Sequence, residues 1–266
     1  RIAYKDDVIT KRLEKGMANL LHHNTASFLH FIELFIDGSK QYLDTKNYKY
    51  ALMLYYALFQ DRLDKTGFAS IYEALELIHK EMYSYFKQEI SEIISYLLAH
   101  LQLKTMPLGE DVLPGLELYG CYTREEIFTL VGRQTEARKM QGSVTGVFNL
   151  SECNATLLFV TLNKSDKDFS PSTQYNDYLI NEHYFHWQSQ NTDSHQNNGG
   201  QRYTKQADTQ NKIILFVREE KKDGYGNTCP FHCFGLVEYM SSHDDFPMNI
   251  TWKLQQPAMA QYVKAI

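Results

Sequence analysis

Hydrophobic positions recur with helical spacing over residues 1–105. Phe28, Phe31, Ile32 and Phe35 fall at i, i+3, i+4 and i+7. So do Leu52, Tyr55, Tyr56 and Phe59, and Ile71, Leu75, Ile78 and Met82 follow a similar rhythm. That spacing puts each set on one face of a helix. Thr25 or Asn24 stands where the helix carrying Phe28 needs a cap, and Gly38 and Gly67 stand where helices should stop. The tyrosines along these faces read as core with their hydroxyls at the edge, rather than as a stacking surface. Pro107, Gly109, Pro114 and Gly115 then break the pattern. Thr123-Arg-Glu-Glu126 is a capping box opening a short helix through Leu130, with Gly132 as its stop.

Beyond this point the period changes to two. Short runs rich in Val, Ile, Phe, Tyr and Trp predict strands at 144–150, 156–163, 174–180, 184–190, 212–218, 231–239 and 248–254. The polar stretch 192–200 reads as a flexible loop. The expected fold is α+β: an N-terminal helical domain (1–105) followed by a mostly β domain (106–266) with a closed or nearly closed barrel.

Composition and charge narrow the reading. Hydrophobic residues make up 43% and charged residues 22%, enough to bury a core without staples. The apolar runs are far shorter than the ~20 residues a membrane span requires, and no charged-then-apolar leader precedes them. The chain opens with Arg1. A soluble, cytoplasmic segment cut from a longer polypeptide is therefore expected. The four cysteines, Cys121, Cys153, Cys229 and Cys233, form no CxxC pair and read as reduced thiols. Cys229, His232 and Cys233 lie close together, but no second ligand pair follows, so no metal or cofactor is expected there. Residues 1–105 carry 13 basic and 13 acidic side chains, and the remainder 14 and 19. The net charge of −5 thus sits in the second half, which argues against non-specific coating of phosphates.

The densest polar-aromatic chemistry runs from Phe159 to Tyr203. A pocket for a flat heterocycle needs aromatic planes with amides and a carboxylate at the rim. The candidate base pocket comprises Phe169, Ser170, Thr173, Tyr175, Asp177, Tyr178, Trp187, Gln188 and Ser189. Asp177 accepts hydrogen bonds only, matching the N4 amino donor of cytosine. Tyr175, Tyr178 and Trp187 are candidate stacking planes, although Trp187 and Phe185 also fit the inward positions of a strand. In an extended segment Tyr175 and Asp177 face one way and Tyr178 the other. Gln190, Gln201, Arg202 and Tyr203 are candidates for edge or backbone contacts, as are Arg133, Arg138, Lys139 and Lys164 for phosphates.

The run Phe159–Tyr178, then Phe-His-Trp-Gln-Ser-Gln (185–190), Gly-Gln-Arg-Tyr (200–203), Leu-Phe-Val-Arg-Glu (215–219), Phe234-Gly235 and Pro-Met-Asn-Ile-Thr-Trp (247–252) resembles a known family. It is similar to the C-terminal domain of bacterial superfamily II helicase-like proteins that often carry a phospholipase-D-type nuclease. The resemblance covers nearly all of 123–254. It implies the specificity module of a modification-dependent (type IV) restriction enzyme. Such a module reads 5-methylcytosine or 5-hydroxymethylcytosine in duplex DNA through an SRA/PUA-like curved β-barrel that flips the base. The implied partners are modified double-stranded DNA and the upstream helicase and nuclease domains, with a second copy of the chain as a further candidate. This segment itself would be non-catalytic: it has no GxxxxGK[ST] loop and no HxK pair.

Two other readings stay open. Asp166, Asp168, Asp177, His183 and His186 are candidates for a metal-dependent nuclease site. Alternatively, the helical half assembles a dimer and the β half is scaffold.

Overall fold

The computed structural model describes residues 2–101, 103–109, 112–140, 145–164 and 176–263. The chain forms two compact units. The first takes in the chain up to Thr105, Leu113–Leu116 and the segment from Gly120 to 140; the second takes in Met106–Val112, Glu117–Tyr119 and the chain from 145 onward. The segment around Thr123 thus belongs with the helices, on the other side of the expected 105/106 division.

The first unit is built from α1 (Ile2–Met17), α2 (Ala26–Ile36), α3 (Tyr48–Phe59), α4 (Ile71–Glu76), α5 (Ser84–Ala99) and α6 (Arg124–Leu130), with shorter turns between them. Phe28, Phe31, Ile32 and Phe35 are all buried, as the spacing predicts. Every residue of α3 from Ala51 to Phe59 is buried, so this helix is central and has no wet face. Tyr55 and Tyr56 belong to this core, whereas Tyr85 and Tyr96 on α5 are exposed. The hydroxyl of Tyr55 lies 2.8 Å from the Thr66 hydroxyl, and that of Tyr56 donates to the Thr135 carbonyl at 2.7 Å.

The expectation for Met82 fails: it is 62% exposed. The helix predicted there breaks after Glu76 into 3-10 turns at Leu77–His79 and Glu81–Tyr83, and the tighter turn shifts the phase of the apolar face. Thr25 takes the N-cap position of α2 but makes no side-chain cap bond. Asn24 instead accepts from the Cys121 backbone N–H at 2.6 Å. The Thr123–Glu126 capping box is present in both directions, at 2.8 and 3.3 Å. Gly38, Gly67 and Gly132 adopt φ of +79°, +78° and +75°, which explains glycine at each stop.

The second unit holds seven strands longer than two residues among the described residues. They are β1 (Val147–Leu150), β2 (Ala155–Asn163), β3 (Tyr178–Asn181), β4 (Tyr184–Gln188), β5 (Lys212–Glu220), β6 (Phe231–His243) and β7 (Asn249–Leu254). Their order in the sheet is β1-β2-β5-β6-β7-β4-β3. The β2–β5 pair is parallel and every other neighbouring pair is antiparallel. Strands β2 and β5 are buried almost throughout, as expected for strands covered on both faces. Strand β4 alternates, with Phe185 and Trp187 inward and Tyr184, His186 and Gln188 outward.

The closed barrel anticipated from the strand count is not found. Edges β1 and β3 do not pair with each other among the described residues, because the β3–β4 hairpin adds beyond β7 and leaves an open path. One apolar cluster runs along the sheet, from Leu158 and Val160 of β2 through Ile213 and Leu215 of β5 and Ile250 and Trp252 of β7 to Phe185 and Trp187 of β4.

The stretch expected to be a flexible loop is a structured turn leading into a helix, α7 (Asn198–Thr204). The Asn197 side chain accepts from the backbone N–H groups of Ser194 and Gly200 at 3.2 and 3.0 Å. Gly200 is required by close approach: a Cβ there would collide with the Ser194 carbonyl oxygen.

His232 on β6 places Nδ1 2.7 Å from the Tyr262 hydroxyl. Burial pushes its pKa down from 6.5 to about 4. The unfolded chain therefore takes up this proton first, and stability falls as pH drops from 6.5 towards 4. This one group contributes a slope of at most about 1.4 kcal/mol per pH unit. Denaturant melts at pH 7 and pH 5 should show a loss that His232→Gln reduces. An identical loss in the variant would assign the acid sensitivity to other groups.

Candidate functional site

The polar residues singled out between Phe159 and Tyr203 divide into three groups in space. The first gathers where β2 ends and β3 begins. Lys164, one residue past β2, places Nζ 2.6 Å from Oδ2 of Asp177, one residue before β3. Both side chains are buried, at 8% and 3% exposure, so solvent does little to screen the pair. The other Asp177 oxygen accepts the Gln188 backbone N–H at 2.9 Å. Burial drives the Asp177 carboxyl upward, while Lys164 and the Gln188 N–H oppose that shift.

Gln188 extends the network. Its Oε1 accepts from the Asn176 N–H at 2.7 Å, and its Nε2 donates to Asn249 Oδ1 at 3.0 Å. Asn249, directly opposite Gln188 in the β4–β7 register, donates to Asp244 at 3.0 Å. Next along the same outer face, Tyr178 opposes His186, and their rings stack with centroids 4.6 Å apart and planes 13° from parallel. The His186 Nδ1 lies 2.8 Å from the Asn176 carbonyl, which fixes its ring. Tyr178 is 43% exposed, so the pair lies at the protein surface rather than in the core.

The second group is core. Trp187 is 4% exposed and packs edge-on to Tyr203, at 5.2 Å between centroids, and against Trp252, at 6.2 Å. It cannot serve as a stacking plane for a ligand. Tyr203, expected to touch DNA, is fully buried, with its hydroxyl directed at Asp193. Both belong to one apolar cluster because inward alternation on β4 and the inner face of α7 put them there. Ser189 is also fully buried. Its hydroxyl accepts the Met248 N–H at 3.0 Å and so ties the end of β4 to the approach to β7.

The third group lies elsewhere. Arg133, Arg138 and Lys139 belong to the first unit, not to the β unit in which they were sought. Arg138 Nε donates to the Arg133 carbonyl at 2.9 Å, and Lys139 Nζ to the Gln60 carbonyl at 2.6 Å. These bonds fold the segment against the helices. On the β unit, Gln201 bonds locally to Gln196 and Lys205, and Arg202 sits half-buried on α7. The Gln190 carbonyl accepts from Asp193 and Ser189. Phe169, Ser170, Thr173 and Tyr175 lie outside the described residues, as do Asp166 and Asp168. Of the remaining nuclease candidates, His183 pairs with Glu182 at 3.3 Å rather than with Asp177.

The structure brings together Asp177, Gln188 and Tyr178, expected in a base pocket, and Lys164, expected at a phosphate but buried against Asp177 instead, and it adds two partners not expected beside them. His186 was set aside for a metal site, although its place one residue before the inward Trp187 already put it on the outer face. Asn249 was missed because its pairing with Gln188 spans 61 residues.

Among the described residues no helix is long and apolar enough to cross a membrane. The model of a domain of unknown function, DUF3427, matches residues 116–265, more than half of the chain, and the chain belongs to that family. No curated protein matches it.

Proposed function

We propose that this DUF3427-family chain is a non-catalytic DNA-reading segment. It recognises 5-methylcytosine or 5-hydroxymethylcytosine in duplex DNA as the specificity part of an ATP-dependent type IV restriction enzyme. Its β unit acts as an SRA/PUA-like curved sheet that accepts a flipped base. Cleavage and ATP hydrolysis reside in upstream domains of the same polypeptide, to which the helical unit couples.

The observation that carries this reading is the junction of Lys164 and Asp177 beside the part-exposed, stacked Tyr178–His186 ring pair. It brings a buried carboxylate, two amides and a part-exposed pair of stacked rings together at the β3–β4 end of the sheet. Taking a base out of a duplex costs a few kcal/mol. One stacked plane returns roughly 1–3 kcal/mol and two or three hydrogen bonds the rest. A carboxylate offers about four lone-pair sites, and Lys164 and the Gln188 N–H take one each. Among the described residues these are its two partners, and the N4 amino group of a flipped cytosine would take a further lone pair. Trp187 has no part in this site, and Tyr178 with His186 replaces it as the plane. With the negative charge concentrated in this half, affinity rests on the pocket more than on phosphates. Binding should lose little with added salt.

The test is binding of the chain to matched duplexes with and without one 5-methylcytosine, followed by fluorescence anisotropy. Affinity for the modified duplex should be at least about tenfold higher, the equivalent of 1.4 kcal/mol. Tyr178→Ala, at an exposed position, and His186→Ala, at a half-buried one, should erase that preference in a folded protein. Equal affinity for the two duplexes discards the reading. Cleavage of either duplex by the chain in Mg²⁺ would replace it with a nuclease.

A further inference from the structure

The helical unit contains a second concentration of chemistry that DNA reading does not use. His22 and His23 occupy the turn between the 3-10 turn Ala18–Leu20 and α2, and Glu126 is the third residue of α6. His22 Nε2 lies 2.9 Å from Glu126 Oε2, and His23 Nε2 lies 3.4 Å from Glu126 Oε1. One ligand atom from each residue falls within 4.8 Å of the others. The His23 side chain is completely buried, and among the described residues neither of its ring nitrogens makes a hydrogen bond, Nε2 having only the 3.4 Å approach to Glu126. Burying an imidazole with both nitrogens unsatisfied is costly, and such groups in a native fold call for an explanation.

We propose that His22, His23 and Glu126 bind a Zn²⁺ ion, with its fourth position open to water. Two imidazoles and one carboxylate form a zinc donor set that leaves one position free. Two ligands held about 2.05 Å from a tetrahedral ion lie about 3.4 Å apart. His22 Nε2 and His23 Nε2 lie at 2.9 and 3.4 Å from the two different oxygens of Glu126, so a small turn of the carboxylate or the imidazoles would bring one oxygen and both nitrogens around a single ion. Imidazole disfavours the hard cations Mg²⁺ and Ca²⁺.

The outer shell is also in place. The Thr123 N–H donates to Glu126 Oε2 at 2.8 Å, and Phe28 packs edge-on to the His23 ring at 4.6 Å. Such contacts fix the orientation of the ligands before metal arrives. His22 retains 17% side-chain exposure, so the cluster is not sealed on every side. The ion would clasp the start of α6 to the turn before α2. This inference is independent of the DNA-reading proposal.

The experiment uses the untagged full chain, stripped with chelator and then titrated with Zn²⁺, with Co²⁺ as a spectroscopic probe. We expect one zinc per chain to survive gel filtration. At free zinc about a hundredfold above Kd, the melting temperature of the helical unit should rise by roughly 5–10 °C. Glu126→Gln keeps a residue able to complete the capping box, and His23→Leu removes a buried imidazole. Both should abolish the stoichiometric zinc and the shift. Folded wild-type chain that retains no zinc and shows no shift overturns the site. So does a folded variant that binds zinc as wild type does. If a variant fails to fold, the metal content and Co²⁺ spectrum of the wild-type chain decide the matter.

Discussion

Trp187→Ala should destabilise the β unit by about 3–5 kcal/mol, the usual cost of truncating a buried aromatic. The indole packs against Tyr203 and Trp252 inside one apolar cluster, and all three rings are at most 4% exposed. Rigid strands on β4 and β7 prevent that space from collapsing. Urea melts followed by far-ultraviolet circular dichroism measure the loss, and Trp187→Phe should cost much less. A Trp187→Ala protein within about 1 kcal/mol of wild type would contradict the core assignment. The expectation also governs how DNA binding is tested. Weak binding by Trp187→Ala would report unfolding, so only surface rings such as Tyr178 give an interpretable result.

The second large effect is at the Lys164–Asp177 pair. Asp177→Ala leaves a buried ammonium without its counter-charge and a Gln188 N–H without its acceptor. Removing one member of such a pair costs about 3–5 kcal/mol, chiefly because the other charge stays buried. Lys164→Ala should cost a similar amount. The double replacement Lys164→Met with Asp177→Leu restores shape without charge and should recover most of the loss. A double-mutant cycle measures the coupling, which should be well above the 0.5 kcal/mol expected of independent sites. Additive single effects below about 1 kcal/mol each would show the pair to be incidental.

Local structure was legible where the sequence carries a local signal. The alternation in 184–190 put Phe185 and Trp187 on one face, and the capping box at Thr123 predicted α6. Each depends on neighbours a few residues apart. Met82 was misplaced because two 3-10 turns reset the helical phase, and nothing in the apolar spacing announces them. The 192–200 stretch looked unstructured by composition, yet Asn197 organises it through bonds to Ser194 and Gly200. The strand sequence could not reveal that β3–β4 docks beyond β7, since that pairing joins residues far apart along the chain. Trp187 shows the limit for function. An aromatic residue among polar neighbours suits either a ligand plane or an inward strand position, and only the fold decides between them.

The single parallel pair has a consequence for the order of assembly. The crossover from Asn163 of β2 to Lys212 of β5 carries the β3–β4 hairpin within it. That hairpin finds its seat only on β7, the last strand in sequence. Chain entropy makes such distant closures slow, after the local hairpins have formed. As the polypeptide emerges from the ribosome, β3 and β4 must wait, unmoored, for the final strand. The edge that carries Tyr178 and His186 is therefore completed last, and shortening the chain from its C-terminal side would remove it before most of the sheet is lost.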